Sequence, residues 1–451
     1  MRMTTVRDKE MKPAKTTAKR LVILMLAASM VLLGACSSGN SQNDSAVGNS
    51  AANSNSAADP NTSNTSTADE SSNHASDDSG DKSTAEEPAA DDGSAAPDSD
   101  EGGNSQYDAS KPGQLTAGEW DDLAAHSRWA KLLSGSYGQD NTAYWSIFPQ
   151  RQLEVIVKAD GRAVSDAVVS VMDEDGQSIW EGRTNNNGVA FVYAGLFDEQ
   201  DTQEQYGIEV TSGNETKRYE NVPIPRGQAL NVNLDAPVKA SKALDLMLVV
   251  DTTGSMGDEL NYLKTELKDV VERVGKDNGQ QLDIRVSTNF YRDRGDEYVV
   301  KDFPFTADID KAVGQLSEQS AAGGGDFPEA VDEALDNAIN DHKWSDTARA
   351  RLMFLVLDAP PHHERKVGKR LHELMETAAA EGIRIIPVAS SGVDVHTEYL
   401  MRFLASSTGG TYLFLTDHSG IGNSHEKPAV GEYEVKALND LLVDVINRYS
   451  S

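Results

Sequence analysis

From Leu244 to the C-terminus, short apolar runs alternate with amphipathic stretches, and this rhythm constrains the fold more than any other feature. Residues 244–250 read as a buried strand and 259–274 as a helix, because the apolar spacing shifts from continuous to helical. The pairing recurs: strand 282–290, helices 308–316 and 328–339, strand 352–357, helix 367–381, strand 383–389, helix 398–406, strand 411–415, and a closing helix 435–449. Such alternation over 243–451 predicts an α/β fold: a doubly wound, mostly parallel sheet with helices on both faces. Ligands of such sheets bind outside the carboxyl ends of the strands.

Oxygen-rich loops fall at that rim. Asp251-Thr252-Thr253-Gly254-Ser255-Met256 follows the first strand, Asp358 follows strand 352–357, and Gly323-Gly324-Gly325-Asp326 precedes the helix expected at Pro328. Carboxylates and hydroxyls are hard ligands suited to Mg²⁺, Mn²⁺ or Ca²⁺. Several carboxylates gathered at one rim without a cation would repel one another. The run from Asp251 to Ser255 resembles the DxSxS metal-ion-dependent adhesion site of von Willebrand factor A (VWA) domains, with Thr253 in the middle hydroxyl position. The triple-glycine loop is similar to the family's GGxT loop with Asp326 in place of threonine, and Asp358-Ala359-Pro360-Pro361 is similar to its third loop.

The resemblance implies a metal site of Asp251, Thr253, Ser255, Asp326 and Asp358. Thr253 and Ser255 would bind the cation directly, Asp251 and Asp358 mostly through water. One position is left open for an acidic group on a protein partner. It implies Mg²⁺ first, with Mn²⁺ or Ca²⁺ as alternatives. Asp326 is a departure: a third carboxylate would strengthen cation binding and weaken the pull on an incoming acid, unless it caps the following helix. His362-His363-Glu364 and the HExxH-like run from His372 to Glu376 lack the second cluster or second histidine that zinc needs. Ser255 has no nucleophile elbow around it.

Residues 114–238 follow another period. Thr116 with Glu119 forms a candidate capping box, and Trp120, Leu123, Trp129 and Leu132 share a helical face, so the stretch from Leu115 reads as a helix. Alternating segments follow around Val155, Val169, Trp180, Phe191, Ile208 and Val232, separated by turn residues. They predict an all-β sandwich, similar to carboxypeptidase regulatory-like or Ig-like modules.

The N-terminal part cannot build a core. Residues 37–113 are almost wholly Ser, Asn, Ala, Asp, Glu and Gly, so 36–113 reads as a disordered acidic tether. A flexible chain of roughly 75 residues spans about 50 Å r.m.s., more when charged. Before it, seven Lys and Arg residues between Arg2 and Arg20 precede an apolar run ending at Leu33-Gly34-Ala35-Cys36. This charged segment and short h-region form a signal sequence over 1–35. Its end resembles a bacterial lipobox, which implies acylation of Cys36, the single cysteine, and membrane attachment facing outside the cytoplasm. The net charge of −31 argues against nucleic acid.

The expected protein is therefore a lipid-anchored envelope binding protein, acting in adhesion or complex assembly and not an enzyme. The alternatives are an envelope scaffold whose metal is structural, and a metal-dependent hydrolase, for which no base stands out.

Overall fold

A computed structural model describes residue 109 and residues 111–451, apart from 226, 236–238, 240 and 278–280. The signal segment, Cys36 and nearly all of the tether lie outside the described residues. The described residues belong to one compact unit, Asp98–Ser451.

In chain order a strand, β1 (Thr116–Trp120), leads into helices α1 (His126–Leu133) and α2 (Ser136–Trp145). Eight strands follow: β2 (Gln152–Ala159), β3 (Arg162–Ala163), β4 (Val168–Met172), β5 (Ser178–Arg183), β6 (Val189–Tyr193), β7 (Gln205–Ser212), β8 (Glu215–Pro223) and β9 (Leu230–Leu234). They make two four-stranded sheets, β3-β2-β6 with β9 parallel to β2, and β5-β4-β7-β8. Val155 and Val157 of the first share a core with Val169, Val171 and Ile208 of the second, as a sandwich requires. β8 has no apolar alternation to betray it; it is an edge strand whose Glu215, Lys217 and Tyr219 side chains are only half-buried.

The C-terminal part runs β10 (Ala243–Asp251), α3 (Gly257–Asp277), β11 (Asp283–Tyr291), β12 (Val300–Thr306), α4 (Ile309–Ser317), α5 (Val331–Asp336), β13 (Ala350–Leu357), α6 (Arg365–Glu381), β14 (Ile383–Ala389), α7 (Val395–Thr408), β15 (Tyr412–Leu415), β16 (Lys436–Ala437) and α8 (Leu438–Ser450). Its sheet has eight strands in the order β12-β11-β10-β13-β14-β15-β1-β16. The strands from β11 to β15 are parallel, and β12, β1 and β16 pair antiparallel. β12 escapes the periodicity because Pro304 and half-exposed neighbours suit only an edge.

β10 reads as nearly continuous apolar sequence because both of its faces are covered. Leu246, Leu248 and Val250 pack with Leu263 and Leu267 of α3 and Leu442 of α8. Met247 and Val249 point the other way, into a core with Leu371 and Leu374 of α6 and Phe403 of α7. That second core is continuous with the sandwich. Each such side chain, fully buried, stabilises by about 1.5–3 kcal/mol.

The helix expected across 115–133 is corrected at its first half. Residues 116–120 are the strand β1, paired antiparallel with β15 (Ala117↔Leu415) and with β16 (Thr116↔Ala437). The free edge of β15 supplies a hydrogen-bond ladder that outweighs a local helical preference. Gly118 permits the fit, since a Cβ there would stand 2.6 Å from the Phe414 ring and 2.7 Å from Tyr433. Glu119, the expected capping partner, pairs with Arg448. Upstream, the buried Glu266 of α3 accepts backbone N–H groups from Gly113 (2.7 Å), Gln114 (2.8 Å) and Leu115 (3.2 Å) and so pins the entry of the chain.

Candidate metal centre

The sheet places two aspartates side by side. β10 and β13 are parallel neighbours, with Val250 opposite Val356. From β10 the chain moves to β11 on one side and later returns to β13 on the other, which makes the β10–β13 gap the switch point of the sheet. Asp251 ends β10 and Asp358 immediately follows β13. Adjacent strands lie roughly 4.8 Å apart, so two carboxylates at these ends share one crevice.

Both are buried, Asp251 at 0% and Asp358 at 4% exposure. Asp251 Oδ1 accepts from Thr253 N (2.8 Å) and from Thr253 Oγ1 (2.7 Å). Thr253 Oγ1 in turn lies 3.1 Å from Ser255 Oγ, and Ser255 is exposed at the mouth. Asp251 Oδ2 and Asp358 Oδ1 are buried with no hydrogen-bond partner. A buried, unpaired carboxylate oxygen is costly. Burial, then the charge of Asp358, pushes Asp251 up to about 7. Burial, opposed by the Ser255 hydroxyl and reinforced by Glu259, pushes Asp358 up to about 6. Two orphaned oxygens facing two hydroxyls fit a hard divalent cation, which would neutralise the repulsion and take up the free lone pairs.

The glycine loop brings a different carboxylate from the one expected. Gly323 and Gly324 have φ of +80° and +71°, values that disfavour a side chain. Gly323 O accepts from Gly254 N (3.1 Å), and Gly324 N donates to Asp296 Oδ2 (2.8 Å), so the loop closes over the Asp251–Ser255 turn. Asp326 sits exposed on the loop's crest, with no hydrogen bond or ion pair among the described residues. It does not cap a helix either, because α5 starts only at Val331 and its N-cap is Ala330. Glu329 is the buried member, at 3% exposure. A bridge to Pro361 and a bond from Glu329 N to Pro360 O (2.9 Å) hold it against the Asp358 loop. Its Oε2 has no partner. Burial, then the charges of Asp251, Asp293, Asp358 and Asp296, push its carboxyl up to about 9. The sequence offers one faint sign of this: an acid between Pro328 and the apolar Ala330-Val331. Among the described residues, no three carboxylate, imidazole or thiol groups converge in a metal-holding arrangement. The groups that could hold a cation here are the Asp251 and Asp358 carboxylates and the Thr253 and Ser255 hydroxyls, with the Glu329 carboxyl close to them.

Tyr291 is a second residue that sequence reasoning missed. It lies opposite Asp251 on β11 and is fully buried, with burial first and the charges of Asp251 and Asp358 next raising its hydroxyl well above the usual range. The histidines of the neighbouring loop and of α6 serve as tethers. His362 Nε2 contacts Asp293 Oδ1 (2.7 Å), His363 Nε2 lies 3.0 Å from Tyr144 O, and His372 Nε2 lies 2.9 Å from Trp145 O.

Fold and rim thus define an α/β domain with an acidic, hydroxyl-lined crevice at its switch point. Residues 245–426 match the von Willebrand factor type A domain family, and the chain carries a VWA domain there. Such domains are in general interaction modules that mediate protein–protein contacts, and they commonly bind a divalent metal at this rim. Two relatives are similar. A putative ariadne-like RING finger protein of Acanthamoeba polyphaga mimivirus is 29% identical over 189 residues, 38% of this chain and 18% of the relative. An alpha-protein kinase of Dictyostelium discoideum is 24% identical over 208 residues, 45% of this chain and 32% of the relative. The chain thus spans under a third of either protein's length. Among solved structures, a conserved hypothetical protein BatB from Bacteroides thetaiotaomicron aligns at TM-score 0.33 and 13% identity, over 46% of this chain and 98% of that one.

Proposed function

We propose that this chain is a lipid-anchored envelope protein that captures a protein partner through a divalent cation, Mg²⁺ in the first instance. Asp251, Thr253, Ser255 and Asp358 hold the cation, and a carboxylate of the partner takes its open position. The observation that carries this reading is the pair of buried carboxylate oxygens, Asp251 Oδ2 and Asp358 Oδ1, without partners at the switch point. Ser255, exposed beside them, leaves the crevice open to a ligand.

Anchoring rests on the Leu33–Cys36 tetrapeptide after its apolar run, which supports attachment by acyl chains on the outer side of a membrane. Among the described residues no helix is long and apolar enough to cross a membrane. The acidic segment that follows would then hold the VWA domain away from the lipid surface.

Calorimetric titration with Mg²⁺ tests the centre. Wild-type protein binds one cation, and Asp251→Ala loses that binding. Wild-type affinity in the variant sinks the assignment. Cys36→Ser tests the anchor, with the protein leaving the membrane fraction or accumulating as precursor. Unchanged membrane partitioning and maturation would remove the lipoprotein reading.

A further inference from the structure

Soluble proteins hide large apolar side chains or scatter the exposed ones singly. Among the described residues three large hydrophobic side chains stand exposed, Tyr144 (36%), Phe327 (51%) and Val395 (47%), and they are not scattered. Phe327 sits on the glycine loop whose Glu329 is bridged to Pro361. Tyr144, from α2, is stacked between His363 and His396, with ring centroids at 3.8 and 4.1 Å and interplanar angles of 14° and 9°. His363 belongs to the loop that begins at Asp358, and His396 follows Val395 in the first turn of α7. Three distant parts of the chain therefore bring their exposed apolar groups to the rim that carries the cation crevice.

A cavity of about 510 Å³ opens beside Val395. None of Asp251, Thr253, Ser255 and Asp358 lines it, yet it adjoins Asp358: a Cβ on its wall residue Gly392 would stand 3.1 Å from the Asp358 carbonyl. Its walls include Val393, Tyr412, Phe414 and Leu415. The two acids on α7 that face it are already engaged. Asp394 caps the helix by accepting from Thr397 N (2.7 Å). Glu398 accepts from Arg402 Nη1 (2.9 Å) and from Ala429 N (3.0 Å). Ser390 is 3% exposed, lines the cavity, and its Oγ has no partner. The wall is mixed, with Glu426 and Lys427 beside its apolar part; that apolar part suits an apolar side chain, and the Ser390 hydroxyl can donate to a backbone acceptor.

We infer that the ligand face is composite, built by the VWA rim together with the accessory helix α2. Its partner is an extended protein segment bearing a carboxylate with a bulky apolar residue beside it. The carboxylate meets the cation, the apolar residue enters the cavity past Val395, and Tyr144 and Phe327 cover the flanks. This rests on the metal-dependent reading above and adds the class of segment recognised.

The probe is a positional-scanning set of acetylated, fluorescein-labelled hexapeptides with one central aspartate, read by polarisation against the whole chain in Mg²⁺, with and without chelator. Leu, Ile, Met or Phe beside the aspartate should strengthen binding roughly tenfold over Gly. Val395→Ser and, separately, Tyr144→Ser should erase that preference while Mg²⁺ affinity, measured by calorimetry, stays at the wild-type value. Val395→Ser alters only an exposed first-turn residue, so it reports even if the Tyr144 variant loosens α2. Chelator-sensitive binding indifferent to the flanking residue, or a preference that survives both variants, overturns the composite face and leaves the metal-dependent reading standing. Absence of any chelator-sensitive binding overturns both.

Discussion

Two buried charged clusters of this molecule are built on opposite principles. At the junction of β1–α1 with α7, Arg402 and Asp122 are buried together, with side-chain exposures of 1% and 3%. Asp122 accepts from Arg402 Nη2 (2.6 Å) and Nε (2.8 Å), Glu398 accepts from Nη1 (2.9 Å), and the guanidinium lies 4.3 Å from the Trp129 ring centroid. Each charge there has its counter-charge. At the crevice, Asp251, Asp358 and Glu329 are as deeply buried and have no cation side chain among them, and one oxygen of each is without a hydrogen-bond partner. The junction is a finished structural joint between accessory segment and VWA domain. The crevice is left incomplete by the chain itself, and that incompleteness marks it as functional.

The strongest way to break the comparison is at the junction. Asp122→Ala leaves a buried guanidinium short of its main partner and should destabilise the fold by about 3–5 kcal/mol in denaturant unfolding. A joint Asp122→Leu, Arg402→Met, Glu398→Gln exchange, which leaves no unpaired buried charge, should recover much of that loss. A loss below about 1 kcal/mol in the single variant would mean that the joint is not fully desolvated.

The crevice should answer to pH in the other direction. Asp251, Asp358 and Glu329 all have folded-state values raised by burial, to about 7, 6 and 9. A raised carboxyl favours the folded state while protonated, and that contribution is lost as pH climbs through the folded value. The melting temperature of metal-free protein should therefore fall from about pH 4 up to about pH 9, most steeply below about 6, where all three groups contribute. Added Mg²⁺ should raise it most at the alkaline end, where no proton competes for the oxygens. A Mg²⁺ effect that is larger at pH 6 contradicts the account.

Smaller effects separate the two acids of the glycine loop. Glu329→Gln removes a buried carboxyl that a neighbouring cation would draw into ionising, and should weaken Mg²⁺ binding severalfold in calorimetry, more at pH 9 than at pH 7. Asp326→Thr removes an exposed, screened one and should change the affinity by less than about twofold. The reverse order would return Asp326 to the site in place of Glu329.

Much of this protein was written locally. Apolar runs at 244–250, 352–357 and 383–389 gave away the parallel strands because both sheet faces are covered, and the hydroxyl-rich turn after Asp251 gave away the rim. The sandwich strands with one buried face were equally legible from their alternation. The edge strands β8 and β12 were not, because an edge needs no apolar pattern on its outer side.

Only the tertiary structure decided three further matters. Residues 116–120 became a strand because β15 had an open edge for them, a partner some 300 positions away that no local window contains. Glu329 replaced Asp326 at the crevice because pairing with Pro361 turned one acid inward and left the other on the crest. Tyr144 joined the rim because His363 and His396 enclose its ring. Periodicity reports which face of an element is buried; it carries no information about which distant element does the burying, and each of these three outcomes depended on that.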